Sequence, residues 1–177
     1  IEDECKVIVD IGSNIGISAL YFLTHNKDCK CYLFEPVLEN VEKLKINLKL
    51  FEGRYYIQQK AVANKSGELE FGIEATGRYG GLNRKTGKLI TVQCLNINNV
   101  LAEVLNKEQS IDILKIDMEG SEISTIRSIN PNFLNRIKYI YFELHDENKN
   151  CLIDLHSNYY CLKKIHRCAY VLSSRKY

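Results

Sequence analysis

The chain alternates between short apolar runs and longer stretches in which apolar positions recur every three or four residues. Continuous or period-2 runs read as strands, and the 3.6-residue recurrence reads as helix. Strands are expected at Val7–Asp10, Tyr32–Glu35, Tyr56–Lys60, Ile113–Asp117 and Tyr139–Leu144. Helices are expected at Ile15–Thr24, Val37–Phe51, Asn99–Asn106 and Glu122–Ile129, the second with Val37, Val41, Leu44 and Leu48 along one face. This order predicts an α/β fold, a mainly parallel sheet with helices on both faces. Between the third and fourth core strands lies an insertion in which Glu68–Ile73 and Leu89–Leu95 form a β pair. They flank a polar tip, Thr76–Lys88, whose four glycines predict a loop without a core of its own. After Asp146 a short helix is expected, then Tyr159–Ile165 and Ala169–Ser173 as an antiparallel hairpin completing the sheet. No repeat or linker divides the chain, so residues 1–177 read as a single domain.

Where the first strand meets the first helix stands Asp10-Ile11-Gly12-Ser13-Asn14-Ile15-Gly16. An acid at a strand end, followed by two glycines four apart, has the shape of a nucleotide-cofactor loop in a doubly wound fold. The spacing is D-x-G-x-x-x-G and lacks one glycine of the dinucleotide fingerprint, which leaves less room for a pyrophosphate against the helix N-terminus. The added carboxylate suits a cofactor carrying an amino group, as S-adenosylmethionine does. The second strand ends in Glu35-Pro36, 23 positions after Gly12, where a carboxylate is placed to accept two bonds from a ribose diol. Pro36 would fit the first turn of the following helix.

Composition narrows the choices without making one. Hydrophobic residues are 45% and charged residues 26% of the chain, ordinary values for a globular protein. A net charge of +2, with no basic run interleaved with aromatics, argues against a nucleic-acid partner. No apolar run reaches membrane-spanning length. Seven cysteines without a C-x-x-C pair suit a reducing, cytoplasmic setting better than a disulfide scaffold, and no metal site is expected. The only methionine is Met118, so residue 1 is not an initiator.

With these parts in order the chain resembles the FkbM-type family of class I S-adenosylmethionine-dependent methyltransferases. The resemblance is carried by Asp10–Gly16, by Phe34-Glu35-Pro36 with Asn40, by Ala61–Glu68, and above all by Lys115-Ile116-Asp117-Met118-Glu119-Gly120-Ser121-Glu122. It implies a Rossmann-like class I methyltransferase fold with a seven-stranded sheet. It also implies methylation of a hydroxyl on a sugar, a glycan or another small molecule. The cofactor-binding residues expected are Asp10, Gly12, Ser13, Asn14, Gly16, Glu35, Pro36, Ala61 and Val62. Members tend to carry helical sequence ahead of the first strand, so an N-terminal segment is expected beyond the residues given.

Methylating an alcohol requires removal of its proton, and a positioned base contributes roughly 10²–10⁴-fold. Asp117 and His145 end the fourth and fifth strands at the sheet edge where ligands bind in open α/β folds, and Glu119 follows Asp117 on the same turn. These three are the candidate catalytic residues. Each has a plainer reading: Glu119 and Glu122 favour a helix start through the macrodipole, and Lys115 suits a structural partner for a carboxylate. A nicotinamide-dependent oxidoreductase shares the strand–loop–acid plan but is disfavoured by the missing glycine and the lack of a Tyr-x-x-x-Lys pair. A non-catalytic cofactor-binding module is the other alternative.

Overall fold

The computed structural model describes residues 4–73, 80–82, 88–118, 120–144 and 156–176. The apolar runs become β1 (Val7–Ile11), β2 (Lys30–Phe34), β3 (Tyr55–Gln58), β4 (Ala61–Ala63), β5 (Gly67–Ile73), β6 (Gly80–Leu82), β7 (Lys88–Asn96), β8 (Ile111–Ile116), β9 (Ile137–Glu143), β10 (Tyr160–Lys164) and β11 (Ala169–Ser174). The helices are α1 (Ile17–His25), α2 (Leu38–Leu48), α3 (Ile97–Lys107), α4 (Glu122–Arg127) and α5 (Pro131–Leu134). Seven strands form one sheet in the order β10-β11-β9-β8-β1-β2-β3. The pairs from β3 to β9 are parallel, and β11 and β10 join antiparallel. The chain walks outward from β1 to β3, then restarts on the other side at β8. The crevice at the β1/β8 carboxyl ends is therefore a topological switch point.

Side-chain alternation divides the core between the two sheet faces. Val9, Ile11, Leu114, Ile116, Ile140 and Phe142 face α3, α4 and α5. Ile8, Cys31, Leu33 and Ile113 face α1 and α2, where Ala19, Leu23, Leu44 and Leu48 are buried. Each fully buried Leu contributes about 1.5–3 kcal/mol over an exposed one. Among the described residues no helix is long and apolar enough to cross a membrane.

The insertion is more ordered than its composition predicts. Beyond the expected β5/β7 pair it forms a separate four-stranded sheet, β4-β7-β5-β6. Ala61–Ala63 pairs in parallel with Cys94–Asn96, and part of the glycine-bearing tip, Gly80–Leu82, pairs with Phe71–Ile73. This sheet has its own small core of Val37, Ala61, Ala63, Phe71, Val92 and Cys94.

Helix limits also shift, for identifiable reasons. α1 starts two residues later than expected because Asn14 and Gly16 take positive φ, which ends any helical run there. α2 begins at Leu38, with Pro36 outside it and Val37 extended. The Val37 N–H goes to the Glu35 carboxylate, so that carboxylate and not the proline sets the helix start. Its last turn tightens into a 3₁₀ turn at Lys49–Phe51. α3 extends to Ile97 because Asn96 accepts the Asn98 N–H as an N-cap. α5, a single turn opened by Asn130 and Pro131, had no apolar period to announce it. The short helix expected after Asp146 falls outside the described residues.

Candidate active site at the switch point

Asp10 and Lys115 are register partners on β1 and β8, and both point to the α1 face of the sheet. Asp117, two positions beyond Lys115, continues that face past the end of β8. Lys115 Nζ lies 3.2 Å from Asp10 Oδ1 and 3.1 Å from Asp117 Oδ2, so one ammonium bridges two carboxylates. The Asp10 side chain is 1% exposed, Lys115 23% and Asp117 31%, so the cluster opens toward Asp117. Among the described residues the Asp10 oxygens have no further hydrogen-bond partner beyond the contact with Lys115. Burial pushes the Asp10 carboxyl above the usual range, against the pull of Lys115. Burial would also discharge Lys115, but the charges of Asp10 and Asp117 outweigh it and hold the ammonium firmly protonated.

Gly12 and Ser13 form the bend beside this cluster. Their N–H groups both donate to the Phe34 carbonyl, at 2.9 and 3.1 Å. The Ser13 hydroxyl donates to the Asp10 carbonyl at 2.7 Å and accepts from Phe34 N–H at 3.1 Å. Ser13 thus ties the loop to β1 and β2 with its own oxygen. Gly12 has φ +80°, and a Cβ built on it would run into the Asp117 carbonyl oxygen. That space belongs to the backbone of Asp117, just past the end of β8. Gly16, at φ +83°, would put a Cβ 2.9 Å from Leu44 Cγ, so its missing side chain lets α1 and α2 pack.

Glu35 is buried on the far side of the loop. Its Oε1 accepts from Val37 N–H at 3.0 Å and from Asn40 Nδ2 at 3.3 Å. Its Oε2 accepts from Asn14 N–H at 2.9 Å. Burial raises its pKa, opposed by these three donors. A carboxylate offers about four acceptor positions, so one remains, on Oε2, where the sequence reading expected two bonds to a diol. Pro36 sits between Glu35 and the helix start. Ala61 and Val62 are buried in β4, their side chains committed to the two cores that meet there.

Glu122 has a role that the sequence suggested only as a helix-dipole effect. Buried, it accepts from Met118 N–H at 2.9 Å and Gly120 N–H at 2.8 Å, closing the turn that follows Asp117. The Asp117 N–H donates to the Ile11 carbonyl at 3.0 Å, fixing this turn against the glycine loop. The i+4 and i+2 spacing of Glu122 to these donors was the available signal. Glu119 and His145 lie outside the described residues. A cavity of about 460 Å³ opens beside the cluster on the α1 face, with Lys115, Asp117 and Glu143 among otherwise mainly apolar and aromatic neighbours such as Tyr21 and Tyr141.

Among the described residues this edge gathers the carboxyl groups of Asp10, Asp117 and Glu35, with Glu143 in the adjoining cavity, around the Lys115 ammonium. An excess of carboxyl groups over cations among the described residues of a crevice suits a cationic ligand.

Residues 10–172 match the family described as Methyltransferase FkbM domain. No curated protein matches the sequence. Among solved structures, an rRNA methylase from Streptococcus thermophilus superposes with a TM-score of 0.54 at 11% identity, covering 97% of this chain and 88% of that one. SMU.1697c from Streptococcus mutans, solved in complex with SAH, gives 0.52 at 11% identity over 97% and 90%. The O-MT segment of StiE, residues 942–1257, gives 0.53 at 11% identity over 92% and 47%. At these identities the likeness is one of fold.

Proposed function

Because the chain belongs to the methyltransferase FkbM domain family and is an S-adenosylmethionine-dependent methyltransferase, we propose that its acceptor is a hydroxyl group on a sugar, a glycan or another small molecule. The observation that carries this reading is the partly exposed Asp117 carboxylate, held by Lys115 at the switch point beside the glycine loop. A hydroxyl acceptor is helped by a group that takes its proton, and a carboxylate open to the crevice supports that role for Asp117.

The residues present fit the cofactor. It is cationic at its sulfonium and ammonium, and the crevice holds an excess of carboxylates. Asp10, buried at the base of the crevice, is assigned to the cofactor's ammonium end. Glu35 keeps one acceptor position, which we assign to one ribose hydroxyl. The loop Gly12–Gly16, including Ser13 and Asn14, shapes the floor, and Pro36, Ala61 and Val62 form the wall beside Glu35. When bound, S-adenosylmethionine supplies an electrophilic methyl carbon. Asp117 orients the acceptor hydroxyl and takes its proton as the new carbon–oxygen bond forms and the carbon–sulfur bond breaks. Lys115 stays protonated throughout and compensates the charge on Asp117 beforehand. His145 and Glu119 are proposed as the other groups able to serve as base. We assign a cytoplasmic location on composition, seven cysteines without a C-x-x-C pair suiting a reducing setting.

Calorimetry with S-adenosylmethionine and methyl-transfer assays on hydroxyl and amine acceptors test the proposal. Asp117→Asn is expected to lower turnover by roughly 10²-fold or more while leaving cofactor affinity within a few-fold. If affinity falls instead, Asp117 is a cofactor ligand, and His145→Asn becomes the variant expected to lose turnover. Glu35→Gln should weaken cofactor binding by about 1.5–3 kcal/mol, the scale of a charged hydrogen-bond acceptor. Transfer to amines and to no hydroxyl would overturn the acceptor class.

A further inference from the structure

Asp10 and Asp117 reach the same side-chain nitrogen from two different strands. Their nearer oxygens are thus no more than about 6 Å apart, a range over which like charges resist joint ionisation. Burial sharpens the conflict on the Asp10 side, where Lys115 is the partner that offsets the charge among the described residues. Without a counter-ion, carboxylates this near disfavour joint ionisation, and a protonated one cannot serve as a base. Lys115 is the cation the structure sets between them.

We propose that Lys115 is a positioning residue: its ammonium keeps Asp10 and Asp117 ionised together, so that Asp117 meets the acceptor as a free carboxylate. No other cation faces the pair among the described residues. From α1 the facing side chains are Ile17, Ser18, Tyr21 and Phe22, which bring no charge at neutral pH. From β9 comes Glu143, which adds negative charge and receives the Cys168 thiol at 3.7 Å. From β2 come Cys31 and Glu35, which feel the charge of Asp10. Among the described residues the other titratable groups named around the pair are acids, which leaves Lys115 as the counter-ion they present.

The inference rests on the proposed role of Asp117 only for its consequence in turnover, since ionisation is readable without cofactor. With aspartate carboxyl carbons labelled by ¹³C, NMR titration of the cofactor-free protein reports both groups. In Lys115→Met the upper titration of the pair should move up by at least about one pH unit, the scale of losing a close opposite charge. Lys115→Arg should leave it near the parent's. The double variant Asp10→Asn/Lys115→Met should bring the Asp117 titration back down, because the like charge is gone with the counter-ion. A lost packing contact would not be restored in that way. In turnover, the rising limb of the pH profile of Lys115→Met should move with the NMR titration, about tenfold per pH unit below it. Unchanged titration in Lys115→Met, or an Asp117 titration still raised in the double variant, would overturn the proposal. If the NMR titration moves and the turnover profile does not, Lys115 is the counter-ion as stated and Asp117 is not the base. If Lys115→Met does not fold, Asp10→Asn alone tests the coupling: the Asp117 titration should fall, and an unmoved one refutes the shared charge.

Discussion

Gly12 and Gly16 look interchangeable in the sequence, two loop glycines four apart, yet different atoms forbid a side chain at each. At Gly12 the obstacle is the Asp117 backbone, which cannot swing aside as a side chain can. Gly12→Ala is therefore expected to destabilise the protein itself by more than about 2 kcal/mol, combining left-handed strain with a backbone collision. Urea unfolding measures this, and loss of cofactor binding should follow from it. A variant as stable as the parent that fails to bind would return the position to the ligand. The sequence disclosed that Asp10, Gly12 and Glu35 belong together, since strand, loop and acid lie within one βαβ unit. It did not disclose the bridge from Asp10 to Lys115. Residues 105 positions apart become neighbours only through the pairing of β1 with β8, and strand order is not a local property. The donors that fill Glu35 were hidden likewise, because they are main-chain N–H groups whose direction depends on the turn.

The contact between α1 and α2 is where element-level packing depends on a single missing methyl. Gly16 lies against Leu44 and Leu48, both fully buried. Gly16→Ala should cost about 2 kcal/mol or more, part from positive φ and part from the Leu44 collision. The same change in a Leu44→Ala background should cost less, because only the backbone strain then remains. A double-mutant cycle from denaturant melts should give a coupling of about 0.5–3 kcal/mol in that direction, and strict additivity would place the whole cost in the backbone. Elements with a long apolar period were legible, α2 and β8 among them. Their ends were not, because a carboxylate on the preceding strand fixes the start of α2. β4 and β6 were illegible for another reason. Ala61-Val62-Ala63 and Gly80-Gly81-Leu82 carry almost no β-propensity, and they pair only because β7 and β5 present open edges.

At the scale of the whole molecule, alternating strands and helices were enough to read the seven-stranded sheet and its terminal hairpin. The second sheet was half read, as a β pair without its outer strands. Its connectivity gives the switch point an unusual property. Everything from Asp10 to Val62 arrives before β7, and Lys115 and Asp117 arrive after it. A fragment ending at Leu82 and another beginning at Lys88 would carry one half of the crevice each, together with complementary edges at β1/β8 and β5/β7. Neither half closes the core alone, since Val9 and Ile11 pack in one cluster with Leu114 and Ile116. Mixed together, the halves should reassemble, and S-adenosylmethionine should tighten the assembly through linkage, by about 2.7 kcal/mol at a hundredfold excess over its dissociation constant. Analytical ultracentrifugation with and without cofactor measures that gain. The fold thus amounts to a two-key lock: an enzyme cut between β6 and β7 would become a coincidence detector, reporting its own cofactor by the joining of two polypeptides.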